Sequence, residues 1–249
     1  DTLYNAYDCN RPDTLNDTYD SKVYRHYLAT GIHADDINET LARTLHDHSM
    51  SDALHDFLDG YAEKDIVAVM GGHALSRRDK AYRQIVMVSK MLAEHGKLMV
   101  SGGGPGAMEA THLGAWLAGR SNDDVDAALS MLEPYESYKE DSWLSSAYNV
   151  IEKFPQETYK SLGIPTWLYG HEPATPFATH IAKYFENSLR EDGLLAIAKG
   201  GVIYTPGSAG TMQEIFQDAV QNHYLTFGYA SPMAFFFLYY WTKEVPAYT

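Results

Sequence analysis

Residues 201–214 read GVIYTPGSAGTMQE: an apolar run, then a proline and a glycine-rich turn, then residues that open a helix. Gly201, Val202, Ile203, Tyr204 and Thr205 fit a strand covered on both faces, because such strands read as continuous apolar runs. Helical spacing follows over about 209–223. The same order of strand, glycine turn and helix occurs twice upstream. Residues 66–72 (IVAVMGG) lead to a helical stretch over 79–95 that Gly96 closes, and 97–106 (KLMVSGGGPG) lead to one over 107–118. Units repeated at this spacing predict an α/β fold: a parallel sheet with right-handed crossovers and helices on both faces.

The remaining chain is read around that frame. A further strand is expected over 164–169 (IPTWLY), a long helix over 177–199 with Ile181, Tyr184, Phe185 and Leu189 on one stripe, and a strand over 233–238. Phe235, Phe236 and Phe237 are expected in the core, and 123–132 as a helix within the acidic 121–160 segment. Residues 1–30 are polar and tyrosine-rich and predict an irregular arm packed on the body or on a neighbouring subunit. Apolar residues at helical spacing over 35–58 (Ile37, Leu41, Leu45; Leu54, Phe57, Leu58) predict two helices, the second stopped by Gly60. The division expected is an N-terminal arm with helices over 1–60 and a Rossmann-like nucleotide-binding domain over 61–249.

Composition narrows the function. The 249 residues carry 33 Asp and Glu against 19 Lys and Arg, a formal charge of −14. That balance argues against a nucleic-acid partner held by a broad basic face. The single Cys9 leaves no internal disulfide, Cys-based zinc site or CxxC redox centre, in keeping with a reducing cytoplasm. No stretch approaches the roughly 18 apolar residues of a membrane helix, and no basic region followed by an apolar one opens the sequence. A soluble cytoplasmic protein without a membrane partner is therefore expected.

In open α/β sheets ligands sit beyond the carboxyl ends of the strands. Three glycine turns fall there: Gly71-Gly72, then Gly102, Gly103, Gly104 and Gly106, then Pro206, Gly207, Ser208, Ala209, Gly210 and Thr211. Glycine lets backbone N–H groups converge on an anion, and a helix N-terminus adds unpaired donors and about half a positive charge. A phosphate can bind there despite the acidic whole. Neither rich loop carries the Lys-Ser/Thr of a P-loop. Gly102-x-Gly104-x-x-Ala107 fits a dinucleotide fingerprint formally, but a helical stretch follows where a strand ending in a ribose-binding acid is needed. Thr211 and Glu214, three apart in the first helical turn, face one edge of the loop. Glu214 there either complements the helix dipole or acts on the part of the ligand beyond the phosphate.

Together, GGGPGAMEA at 102–110 and PGSAGTMQE at 206–214 resemble the Lonely Guy (LOG) family, often misannotated as lysine decarboxylases, which includes nucleotide 5′-monophosphate nucleosidases. Its pattern is a GGG-type loop followed by PGGxGTxxE, and the resemblance covers about residues 65–225. It implies hydrolysis of the N-glycosidic bond of an AMP-like nucleoside 5′-monophosphate to free base and ribose 5-phosphate. No cofactor and no metal would be needed, and a homodimer or higher assembly is expected. Glu214 falls on the catalytic glutamate, and Gly207, Gly210 and Thr211 on the phosphate loop. Arg190, sixteen residues before Pro206, falls near the family's arginine, which lies about fifteen before the motif proline. Ser208 replaces the second motif glycine, and Gln213 stands where many members have a first glutamate.

The residue chemistry agrees with that role. Breaking a ribosyl C–N bond builds positive charge on the sugar. A carboxylate beneath C1′ can stabilise that charge or deprotonate water, while a remotely anchored phosphate supplies position. The competing reading is a non-catalytic nucleotide or molybdenum-cofactor carrier. A PLP-dependent decarboxylase is disfavoured, since no lysine stands in either loop and Lys199 precedes a strand. Glu109 could contact ribose. His73 could act as base or phosphate ligand, or merely shape its loop. Arg77 and Arg78 read as a solvated helix start or as phosphate contacts. His46, His48 and His55 cluster with aspartates, but no metal is expected at them.

Overall fold

A computed structural model describes residues 3–170 and 172–245. Residues 1, 2, 171 and 246–249, the outer ends of the expected arm and domain among them, lie outside the described residues. Six parallel strands form one sheet: β1 (Ile66–Met70), β2 (Leu98–Ser101), β3 (Ser161–Gly163), β4 (His180–Ile181), β5 (Gly201–Tyr204) and β6 (Met233–Phe235), ordered β4-β3-β2-β1-β5-β6. The chain therefore builds outward from β1 to β4, then returns to place β5 on the other side of β1. That reversal makes the carboxyl ends of β1 and β5 the switch point, where a doubly wound sheet opens a crevice.

Side-chain alternation explains the layers. Val67 and Val69 pack with helices α3 (Lys80–Glu94), α4 (Ala107–Trp116), α5 (Asn122–Leu132) and α6 (Ser142–Lys153). Ile66, Ala68 and Met70 point to the opposite face, against α2 (Ile37–Leu58), α7 (Asn187–Ile197) and α8 (Ala209–His223). This is the Rossmann-like α/β fold expected, with helices on both faces. Among the described residues no helix is long and apolar enough to cross a membrane.

Several elements differ from the sequence reading. Residues 164–169 are not a strand. β3 lies just before them, and beyond Pro165, which has no N–H for a ladder, pairing continues only as a single parallel bridge between Thr166 and Tyr184. The helix expected over 177–199 is confined to α7. Upstream of it, the backbone N–H groups of Ala182 and Tyr184 bond to Gly163 O and Pro165 O, so tertiary pairing overrides the helical spacing. Leu189, expected on the inner stripe, is exposed. The buried carboxylate of Asp47 accepts the N–H groups of Phe185 and Glu186 (3.0 and 2.8 Å) and fixes where α7 begins.

The arm is more regular than expected: a 3-10 turn (Pro12–Asp17) leads to α1 (Tyr19–Thr30), whose cap Thr18 accepts from Ser21 N. It lacks an apolar period because α1 buries only Asp20, Ser21 and Tyr27. Its tyrosines do pack on the body, Tyr4 donating to Ala174 O and stacking edge-on with Tyr148. The two helices expected over 35–58 are one, α2. Its Ile37, Leu41 and Leu45 face solvent, while Leu54, Arg43 and Asp47 are buried. β6 stops at Phe235, Phe237 turns back at φ +69°, and Phe235, Phe236 and Phe237 are only partly buried. Helix α6 lay unassigned within the acidic segment.

Candidate active site

The carboxyl ends of β1, β2 and β5 open into a cleft of about 680 Å³. Three loops meet in it and are tied together by main-chain bonds. Gly72 N donates to Pro206 O (3.0 Å), and Gly72 O accepts from Ala107 N (3.2 Å). Gly71, Gly72 and His73 line one side, Gly102 and Gly104 the floor beside them, and Ser208, Ala209, Gly210 and Thr211 the end formed by α8.

The other predicted glycines shape this floor rather than line it. Gly103, at φ +70°, donates to Ser101 Oγ (3.0 Å), and a Cβ there would sit 2.9 Å from Gly163 Cα. Ser101 Oγ is held in turn by His112 Nε2 (2.8 Å), whose Nδ1 meets Ser161 Oγ (2.9 Å). Burial pushes His112 down to about 3, so it serves as a neutral bridge. Gly207 lies under the Thr211 side chain, leaving no room for a Cβ, and its carbonyl accepts from Tyr240 Oη (2.6 Å). Gly106 adopts φ +69°, and a Cβ would fall 2.5 Å from Gly72 O. The expected result for Gly106→Ala is therefore a loss of about 1–3 kcal/mol from backbone strain alone. Gly210→Ala, with nothing within 4 Å of its Cβ, should leave stability nearly unchanged. Urea titration of the two variants checks the contrast.

Helix α8 begins at Ser208 with no side-chain cap, so its first N–H groups are unpaired and face the cleft. A phosphate is the kind of group such a terminus accepts. One turn further, Glu214 projects into the same space. Burial raises its carboxyl to about 7, opposed by the Arg190 guanidinium and assisted by the nearby Glu191 carboxylate. Arg190 is held by Nε to Asn187 Oδ1 (2.9 Å) and Nη1 to Ile164 O (3.3 Å), beside Gly102. The sequence thus brings Glu214, Arg190 and all three glycine turns to one cleft.

Glu109 is not there. Its fully buried carboxylate takes Arg77 Nε (2.9 Å) and Tyr82 Oη (2.8 Å), a pairing that also withdraws Arg77 from any ligand. Arg78 faces outward to Glu136 and Glu133 O. His46 contacts Asp47, and His48 approaches Asp52. Among the described residues no group of three or more His, Cys, Asp or Glu is placed to hold a metal ion.

Several cleft residues escaped the sequence reading: Met108, Tyr138, Thr166, Tyr169, Glu172 and Glu191. Three of these, Thr166, Tyr169 and Glu172, belong to the connection from β3 to β4, whose first part, 164–169, was expected as a strand; the turn formers Gly170 and Pro173 around Glu172 were the available signal. Burial raises the Glu172 carboxyl, against the pull of His73, Arg190 and Lys183.

No family model and no curated protein matches the chain. Among solved structures, the X-ray structure of TM1055, a structural-genomics target, aligns over 61% of this chain and 67% of that one at 20% identity, with a TM-score of 0.41. The molybdenum cofactor binding protein of the phototrophic bacterium Rippkaea orientalis aligns over 70% of this chain and 77% of its own at 14% identity, with a TM-score of 0.43. These likenesses are of fold at most and assign no ligand or activity to this chain.

Proposed function

We propose that the chain is a LOG-type phosphoribohydrolase, cleaving the N-glycosidic bond of a nucleoside 5′-monophosphate. The observation that carries this reading is the Glu214 carboxylate, one turn inside the uncapped N-terminus of α8 and within the field of Arg190. The amides of Ala209, Gly210 and Thr211 hold the 5′-phosphate. With the phosphate fixed at the helix mouth, the ribose extends along the cleft toward Glu214, so binding energy is converted into position. Glu214 deprotonates water or stabilises the positive charge that grows at C1′ as the base departs. Its carboxyl, held up to about 7, is basic enough to accept a proton near neutrality. Arg190 clamps the phosphate or the ribose. The ligand is AMP-like. Two exposed apolar stripes, Ile37, Leu41 and Leu45 on α2 and Phe216 and Val220 on α8, support assembly into a homodimer or larger.

Incubation with AMP, GMP, CMP and isopentenyl-AMP is expected to release free base from at least one of them, read by chromatography. A folded protein that releases none overturns the reading. A carrier would instead bind nucleotide or molybdenum cofactor with equal affinity in wild type and Glu214→Gln, and convert neither.

A further inference from the structure

The cleft holds a second acid that the mechanism above leaves idle. Glu172 lies in the connection from β3 to β4, on the opposite side of β1 from α8 in the strand order. Its Oε2 sits 3.5 Å from the point that a Cβ on Gly104 would occupy, over the loop that follows β2. Arg190 feels the charges of Glu214, Glu191 and Glu172, and all four side chains line the one cleft. Among the described residues no hydrogen bond to the Glu172 carboxyl is formed by the protein, and Tyr138 is close enough to feel its charge. A half-buried acid without a protein partner, aimed into a ligand cleft, is unfavourable unless something else uses it.

Resting on the proposed hydrolysis, we propose that Glu172 is the acid that protonates the departing base. A nucleotide anchored at α8 and running past Glu214 reaches the loops after β2 and β3 with its base, where Glu172, Tyr138 and Met108 are found. Nitrogen bases are poor anionic leaving groups, so the reaction needs a proton at that end as well as a base beneath C1′. The step balances without a further reagent. The C1′–N bond breaks with its electron pair going to the base, and Glu172 delivers a proton to a ring nitrogen. Water forms the new C1′–O bond and loses its proton to Glu214. One proton on the pair suffices: the reacting form carries it on Glu172, with Glu214 ionised. Burial disfavours the ionised form of Glu172.

The test uses two leaving groups: a nucleoside monophosphate that the wild type hydrolyses, and 4-nitrophenyl β-D-ribofuranoside 5-phosphate, whose nitrophenolate departs without a proton. Glu172→Gln is expected to lose about 10²–10⁴-fold in kcat/KM on the nucleotide and to stay within a few-fold of wild type on the nitrophenyl riboside. Glu214→Gln should lose both. Equal loss of both substrates in Glu172→Gln, or no loss of either, overturns the proposal. So does the expected split appearing in His73→Gln instead, which would make that neighbouring histidine the acid. Thermal melts of the variants separate misfolding from chemistry. A wild type inactive on every nucleotide and on the riboside refutes the hydrolase reading itself; an active wild type with an indifferent Glu172→Gln refutes the assignment of this residue alone.

Discussion

Glu214→Gln is expected to lower base release by about 10²–10⁴-fold while leaving the fold and nucleotide affinity intact. The amide keeps the shape of the side chain and removes the group that accepts a proton. In the wild type, kcat/KM should rise with pH through about 7, where the Glu214 carboxyl ionises; the residual activity of the variant should lack that limb. Stability provides an independent readout. The folded pKa is raised above the ordinary carboxylate value of 4.5, mainly by burial, so the folded state binds the proton more tightly than the unfolded chain. The resulting stabilisation is complete below the ordinary carboxylate range and is lost as pH rises through about 7. Glu214→Gln escapes that loss. Its melting temperature at pH 8 should equal or exceed that of the wild type, and a marked drop there would show that the carboxylate is structural.

Glu109→Ala should be the most destabilising single change in the body of the protein. Arg77 and Glu109 are both fully buried, and the guanidinium also donates to Ser146 Oγ (2.9 Å) and lies over the Trp143 ring. Removing the carboxylate leaves an uncompensated buried charge, which costs about 3–5 kcal/mol. Tyr82 Oη loses its acceptor as well. Denaturant unfolding at fixed pH measures the loss. A ribose-binding role for Glu109 would give the opposite pattern, an increase in KM with stability nearly unchanged.

These two glutamates show where reading the sequence succeeds and where it stops. Each stands near the start of a helix that follows a glycine loop, Glu109 in the first turn of α4 and Glu214 in the second turn of α8, and sequence spacing treats them alike. What separates them is a residue 32 positions before Glu109: Arg77, delivered to it by the turn after β1. Among the described residues no side chain hydrogen-bonds the Glu214 carboxylate as Arg77 does that of Glu109; the cation whose charge it feels, Arg190, belongs to α7 and lines the same cleft. Similarly, the spacing of apolar residues over 177–199 fits a helix until Gly163 and Pro165 claim the N–H groups of Ala182 and Tyr184.

The sequence by itself determined the parallel α/β frame, the glycine turns at the strand ends and the place of Glu214 on α8. Each rests on short-range chemistry: buried β-branched runs, positive φ at Gly103 and Gly106, and helical spacing after each loop. Only the tertiary structure decided which charges neutralise one another and which remain for a ligand. Glu109 went to Arg77, Asp20 of α1 to Lys183 of the β4 turn, and Glu172 to the cleft wall. Such pairings depend on distances between segments up to 163 residues apart, which local spacing does not encode.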